Sequence, residues 1–177
     1  IIRRWIKERS QGKRFLNLFC YTASVTVNAA LGGASSSLSV DMSKTYLNWA
    51  SENLSANNLD LSKHKLSQQD CLEWLKSTQP IAPFDLIFLD PPSFSNSKKM
   101  QGVLDIQRDH AEIIDLSMKR LTENGQLVFS NNLRKFKLDD TLNERYKITN
   151  FTKQSIDKDF DRNQKIHQCW IIERQNS

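Results

Sequence analysis

Three aspartates carry the first chemical signal: Asp41 closing "SSSLSVD", Asp70 closing "HKLSQQD" and Asp90 closing "FDLIFLD". Each ends a short run that reads as a strand. In an open parallel sheet, ligands bind just outside those carboxyl ends. A carboxylate after the second strand suits a ribose diol, because it accepts a hydrogen bond from each neighbouring hydroxyl. One after the third strand suits an exocyclic amine such as that of adenine. Together they outline a nucleoside-shaped cleft. The competing reading is that a strand-end aspartate caps the next helix, and Asp41 before "MSK" and Asp70 before "CLE" are placed to do so.

Asp90 is followed by Pro91, Pro92, Ser93 and Phe94. The two prolines fix φ and remove N–H donors, so the turn holds rigid carbonyls with no neighbouring donor. A carboxylate and a fixed carbonyl then accept hydrogen bonds from the edge of a planar base, and Phe94 stacks on its ring. On this reading Asp90, Pro91, Pro92 and Phe94 are the catalytic turn. The alternative is an ordinary Pro-Pro loop with a core phenylalanine.

The loop after the first strand, "CYTASV", contains no glycine. A pyrophosphate needs glycines there to let backbone approach it, so NAD and FAD are disfavoured. No Walker lysine is present, which argues against ATP hydrolysis. S-adenosylmethionine is a nucleoside cofactor without phosphates and fits the same fold without a phosphate cradle.

These residues need a scaffold. "RFLNLF" (14–19), "SSSLSVD" (35–41), "HKLSQQD" (64–70), "FDLIFLD" (84–90) and "QLVFSNN" (126–132) read as strands, the fourth the most apolar and so central. Helical patterns separate them at 24–33, 43–59, 71–77 and 110–122, with Ser43 as an N-cap and "ENG" (123–125) as a turn. The 43–59 helix puts Tyr46, Leu47, Trp49, Ala50 and Leu54 on one apolar face. A short helix near 138–145 and two strands, 146–156 and 166–174, joined by "DKDFDRN", complete the chain. The alternation predicts an α/β Rossmann-like fold with a mostly parallel sheet, an antiparallel pair at one edge, and helices on both faces. His110 is expected to cap or pack at a helix start, without a catalytic role.

The chain has 177 residues, enough for one full domain, and a net charge of +5 that is compatible with a polyanionic partner. Three widely spaced cysteines fit a reducing cytoplasm rather than a disulfide framework. No metal-ligand spacing, signal peptide or membrane-length apolar run occurs, so neither a metal nor a membrane partner is expected. "IIRRWIKERSQGKR" reads as the middle of something longer. Residues 1–13 are therefore expected to be a linker or the end of a missing upstream segment, and 14–177 the domain.

The strings "FLNLFCYTASVTVNAALGGA", "VDMSKTYLNWASENL", "DCLEWL", "FDLIFLDPPSFSNSKKM", "DIQRDH", "FSNNLRKFK" and "RNQKIHQCW" resemble class I S-adenosylmethionine-dependent methyltransferases. More narrowly, they look like one half of the bifunctional bacterial ribosomal RNA large subunit methyltransferase K/L family. The resemblance implies a seven-stranded class I fold and methylation of guanine N7 in 23S rRNA, naked or partly assembled. It also implies further N-terminal domains of the same polypeptide. By the same resemblance, Phe19, Tyr21, Thr22, Ala23 and Ser24 pass close to the methionine part of the cofactor. Asp41 binds the ribose with Met42 beside the adenine, Asp70 meets the adenine amine with Cys71 next to it, and Asp90 lies at both cofactor and base. The family usually has glycine where Ala23 stands, so a methyl group there could crowd the cofactor if the position needs positive φ.

Methylation at cytosine C5 requires a cysteine nucleophile near the end of the fourth or fifth strand. Those ends read "DPPSF" and "FSNN", with no thiol, and Cys20, Cys71 and Cys169 read as small core residues. Guanine N7 and the exocyclic N2 remain, and residue chemistry alone leaves both open. A non-catalytic RNA-binding module that keeps the fold is the further alternative. Lys98, Lys99, Arg108 and Arg134 are the candidate contacts to RNA phosphates.

Overall fold

In a computed structural model of the protein, residues 1–95, 103–155 and 167–175 are described. The elements in chain order are α1 (Ile2–Arg9), β1 (Arg14–Leu18), α2 (Ser24–Leu31), β2 (Ser36–Asp41), α3 (Lys44–Ala56), β3 (His64–Gln68), α4 (Cys71–Lys76) and β4 (Phe84–Leu89). Then come β5 (Phe94–Ser95), β6 (Leu104–Asp105), α5 (Ile106–Met118), β7 (Leu121–Asn131), α6 (Leu142–Arg145), β8 (Tyr146–Asn150), α7 (Thr152–Ser155) and β9 (Gln168–Arg174). The main sheet has seven strands in the order β3-β2-β1-β4-β7-β9-β8, and β5 pairs with β6 in a separate ribbon. The pairs β3–β2, β2–β1, β1–β4 and β4–β7 are parallel, while β9 runs antiparallel to both β7 and β8. The expected fold class is present, with the antiparallel pair at the β8 edge.

The chain order reverses between β1 and β4. Such a reversal opens a crevice above the strand ends, which is where ligands sit in open α/β sheets. β4 reads as a continuous apolar run because both of its faces are covered. Leu86, Ile87 and Leu89 are fully buried, and they divide between two apolar clusters that fill the sides of the sheet.

Several boundaries differ from those read in the sequence, four of them with a structural reason or consequence. Residues 2–9, expected to belong to a linker or the end of an upstream segment, form helix α1 with Ile6 fully buried beside Phe15 and Ala29. Gly32 permits this packing: a side chain there would meet the Lys7 carbonyl oxygen at 2.0 Å. α5 begins at Ile106 instead of 110, because Asp105 caps it by accepting from the Gln107 and Arg108 N–H groups at 3.0 and 3.3 Å. His110 therefore lies inside the helix, buried, with Nε2 accepting from the Asp139 N–H at 3.0 Å. β7 continues through "ENG", which is absorbed as an irregularity: Leu121 pairs with Phe84, yet Gln126 pairs with Leu86. β8 stops at Asn150, and the "DKDFDRN" turn lies outside the described residues. Among the described residues no helix is long and apolar enough to cross a membrane.

Candidate active site

The first wall of the crevice is the loop Phe19–Ala23, between β1 and α2. Phe19, Tyr21 and Ala23 have φ of 56°, 50° and 56°. Left-handed backbone is disfavoured for side chains with a Cβ, so three such residues in five need outside support. Hydrogen bonds supply it. The Phe19 N–H donates to Cys71 Sγ at 3.2 Å, the Cys20 N–H to the Val40 carbonyl at 3.1 Å, and the Tyr21 N–H to Asp41 Oδ2 at 3.0 Å. The Thr22 carbonyl accepts from Asn53 Nδ2 at 2.9 Å.

Asp41 ends β2 and forms the second wall. Oδ2 takes the Tyr21 N–H, and Oδ1 takes the Ser43 N–H at 2.9 Å. Each oxygen retains a lone pair, and two backbone donors fix the carboxylate plane. Ser43 caps α3 by accepting from the Tyr46 N–H at 3.3 Å, which brings Tyr46 up beside Met42. The Tyr21 and Tyr46 rings meet edge to face, with centroids 4.6 Å apart.

Asp90 forms the floor. It follows β4, and its Oδ1 accepts a 2.6 Å hydrogen bond from Ser130 Oγ on β7. Burial raises the Asp90 pKa above the ordinary carboxylate value, and the Ser130 bond opposes that rise. Pro91 is buried and Pro92 exposed, so the rigid turn faces the opening. Phe19, Tyr21, Asp41, Met42, Asp90 and the two prolines share a cleft of about 480 Å³. That is within the ordinary size for a cofactor site. A fixed carboxylate for a diol, apolar walls and no phosphate cradle fit an adenosine-type sulfonium cofactor.

The other expected residues that are described do not line the cleft. Asp70 takes the capping role: its Oδ1 accepts from the Leu72 and Glu73 N–H groups at 2.8 and 3.1 Å at the start of α4. Cys71 is buried beneath the loop, and burial pushes its thiol pKa well up. Thr22 contributes its carbonyl to Asn53, Ala23 is the buried N-cap of α2, and Ser24 opens that helix. The Ala23 methyl packs with Cys20, Leu47 and Ala50, so it faces the core and not the cleft. Phe94 is 61% exposed on β5, while its neighbour Ser95 lines the cleft. Arg108 is exposed and paired with Asp109 at 2.6 Å. Arg134 is exposed in the loop after β7, and Lys98 and Lys99 lie outside the described residues.

Tyr46, Ser43, Ser95, Asn132 and Ser130 were given no part in the site by the sequence, Ser43 having been read only as a helix cap and Tyr46 only as part of an apolar face. Tyr46 and Trp49 were placed on the apolar face of α3, but they are 38% and 46% exposed and only Leu47, Ala50 and Leu54 face the core. The available signal was Ser43: a cap two residues past a strand-end acid puts the first helical turn at the crevice. Ser130 was readable only with the knowledge that β7 lies beside β4.

Residues 1–149 match the S-adenosylmethionine-dependent methyltransferase family. The chain is 55% identical over 177 residues, 99% of its length, to the protein "Ribosomal RNA large subunit methyltransferase K/L" of Marinobacter nauticus. It is 54% identical over 171 residues to the protein of that name from Marinomonas sp.. It covers 24% and 23% of those two proteins, so it spans about a quarter of the curated relatives it matches. Among solved structures it resembles SMU.776, assigned as a methyltransferase and solved in complex with SAH. There the TM-score is 0.78 at 26% identity, covering 97% of this chain and 48% of that one. The strand order and the match over residues 1–149 converge: the chain belongs to the S-adenosylmethionine-dependent methyltransferases.

Proposed function

We propose that this chain methylates large-subunit ribosomal RNA, with N7 of a guanine in 23S rRNA as the acceptor. The observation that carries base methylation is that Asp41 and the Asp90–Pro91–Pro92 turn line one cleft. The RNA substrate class comes from relatives that match nearly the whole chain.

Asp41 would accept the ribose hydroxyls, and Met42 would lie beside the adenine. Phe19 and Tyr21 would flank the methionine part. Asp70, besides capping α4, would meet the adenine amine, with Cys71 next to it. When bound, S-adenosylmethionine supplies an electrophilic methyl group, which N7 attacks as the methyl–sulfur bond breaks, leaving a thioether and a cationic ring. N7 presents an in-plane lone pair and loses no proton, so the protein's main task is alignment. The rigid Pro91–Pro92 turn would position the base, and the Asp90 carboxylate would offset the ring's charge. Phe94 would stack on the flipped base. Lys98, Lys99, Arg108 and Arg134 would contact RNA phosphates.

One observation favours a second reading, guanine N2. Burial makes Asp90 a better proton acceptor than an ordinary aspartate, which suits an exocyclic amine that must lose a proton. Product mapping separates the two. The chain is incubated with labelled donor and unmodified 23S rRNA, protein-free or in partly assembled particles. The product is then digested for mass spectrometry and tested for borohydride-dependent aniline cleavage, which marks N7. Cleavage at the labelled guanine supports N7. Label that resists cleavage and sits on the amine supports N2, and no label on any RNA excludes both.

A further inference from the structure

We propose that Asn53 and Cys71 are positioning residues of the cofactor site, holding the Phe19–Ala23 loop in its left-handed shape before any ligand arrives. The proposal rests on the assignment of the cleft to the cofactor.

Phe19, Tyr21 and Ala23 all have positive φ and none is glycine. Such backbone persists only where its surroundings over-determine it. Two supports, the Val40 carbonyl and the Asp41 carboxylate, come from the end of β2 beside the loop. The other two come from residues that do not line the cleft. Asn53, on the third turn of α3, donates through Nδ2 to the Thr22 carbonyl at 2.9 Å. Cys71, the first residue of α4, accepts the Phe19 N–H at 3.2 Å and donates through Sγ to the Val40 carbonyl at 3.4 Å. One thiol thus ties the loop after β1 to the end of β2, joining both sides of the crevice. Its raised pKa keeps the proton that the second bond requires.

The clamp acts through neighbours. Phe19 and Tyr21 line the cleft, and Tyr21 stands edge-on to Tyr46 of α3. A loop that relaxes to right-handed backbone moves both aromatic side chains off that wall. A cofactor would then have to restore the left-handed shape as it binds, and affinity falls.

The test measures S-adenosylmethionine affinity by calorimetry, methyl transfer kinetics, and amide exchange of the ligand-free chain. The variants are Asn53→Ala, Cys71→Ala and Cys71→Ser, with Thr122→Val as a stability control. Thr122 donates to Asp85 at 3.2 Å, at the other end of the sheet. Losing one clamp bond should raise the cofactor Kd about tenfold. At saturating cofactor, kcat should stay within about twofold, because the loss falls on ligand binding. Amides 19–23 should exchange faster in both alanine variants. Cys71→Ser keeps a donor and an acceptor, so its Kd should remain within about threefold of wild type. Affinity unchanged in both alanine variants, or reduced no more than in Thr122→Val, overturns the clamp alone. A wild-type chain that fails to bind the cofactor overturns both the clamp and the cofactor cleft on which it rests.

Discussion

Ser130 Oγ donates to Asp90 Oδ1 at 2.6 Å, across the gap between the ends of β7 and β4. One oxygen of the partly buried carboxylate is thereby fixed, and its charge is partly compensated without a cation. Asp90 is thus held in place while its pKa stays above the ordinary value. An aspartate shifted by burial and fixed at the floor of a cleft is a candidate functional residue.

Replacing Asp90 with Asn should separate stability from activity. A carboxyl with a raised folded pKa binds its proton more tightly in the native state than in the unfolded chain. Stability from this group is therefore present at low pH and lost as pH rises through the folded pKa. At neutral pH the ionised group opposes folding, so Asp90→Asn should raise the thermal midpoint. Methyl transfer should fall by about 10²-fold, the order expected for losing one charge-stabilising group. A lower midpoint with full activity would remove Asp90 from the site.

Ser130→Ala tests the same pair from the other side. Losing the hydrogen bond removes the interaction that lowers the Asp90 pKa, so that pKa should rise further. Activity that needs the carboxylate falls as pH drops through this pKa. The acid limb of the pH–rate profile should therefore shift to higher pH in the variant. An unmoved limb would show that Asp90 ionisation does not control the rate.

Asp41→Ala should abolish measurable cofactor binding. It removes the diol acceptor and two fixed backbone bonds, a loss on the order of 3 kcal/mol, or more than a hundredfold in Kd. Calorimetric titration of the folded variant reads this directly.

Asp70 distinguishes a cap from a ligand. Asp70→Ser keeps an N-cap acceptor but loses the carboxylate, and Asp70→Ala loses both. Stability should drop by about 1 kcal/mol only in the alanine variant. If the cap is its whole role, cofactor Kd is the same in Asp70→Ser as in wild type. A weakened Kd in the serine variant would instead place the adenine amine on this carboxylate.

Ala23→Gly measures what the methyl group does. Relief of left-handed strain is worth about 1 kcal/mol. It is offset by a lost buried methyl of about 0.8 kcal/mol and by the greater freedom of glycine in the unfolded chain. The net change in unfolding free energy should stay within about 1 kcal/mol. Cofactor affinity should not improve, because the methyl faces Leu47 and Ala50.

The mostly parallel sheet and the strand-end cleft were legible because β4 is a continuous apolar run and each early strand ends on an acid or a tight loop, whereas the order of the strands was not. Positive φ at Ala23 entered the sequence reading only as a condition, and the direction of its methyl was not read at all, because that depends on how α3 packs. Asp70 looked equivalent to Asp41 in sequence. The difference is local: the Asp70 carboxylate meets the N–H groups of the helix that follows at once, whereas Asp41 reaches back to Tyr21. Ser130 and Asn53 act on residues 40 and 31 positions away, and no local pattern encodes such a pairing.

Helix α1 also decides where the domain can be cut. A fragment starting at Arg14 would look complete by its strands, yet it would bare the surface that Ile6 covers over Phe15 and Ala29. It would also leave the hollow at Gly32 empty. An uncovered apolar face of this kind invites self-association. Fusions and excised fragments of this domain should therefore begin upstream of Ile2, and those that begin at Arg14 should be recovered mainly as aggregates.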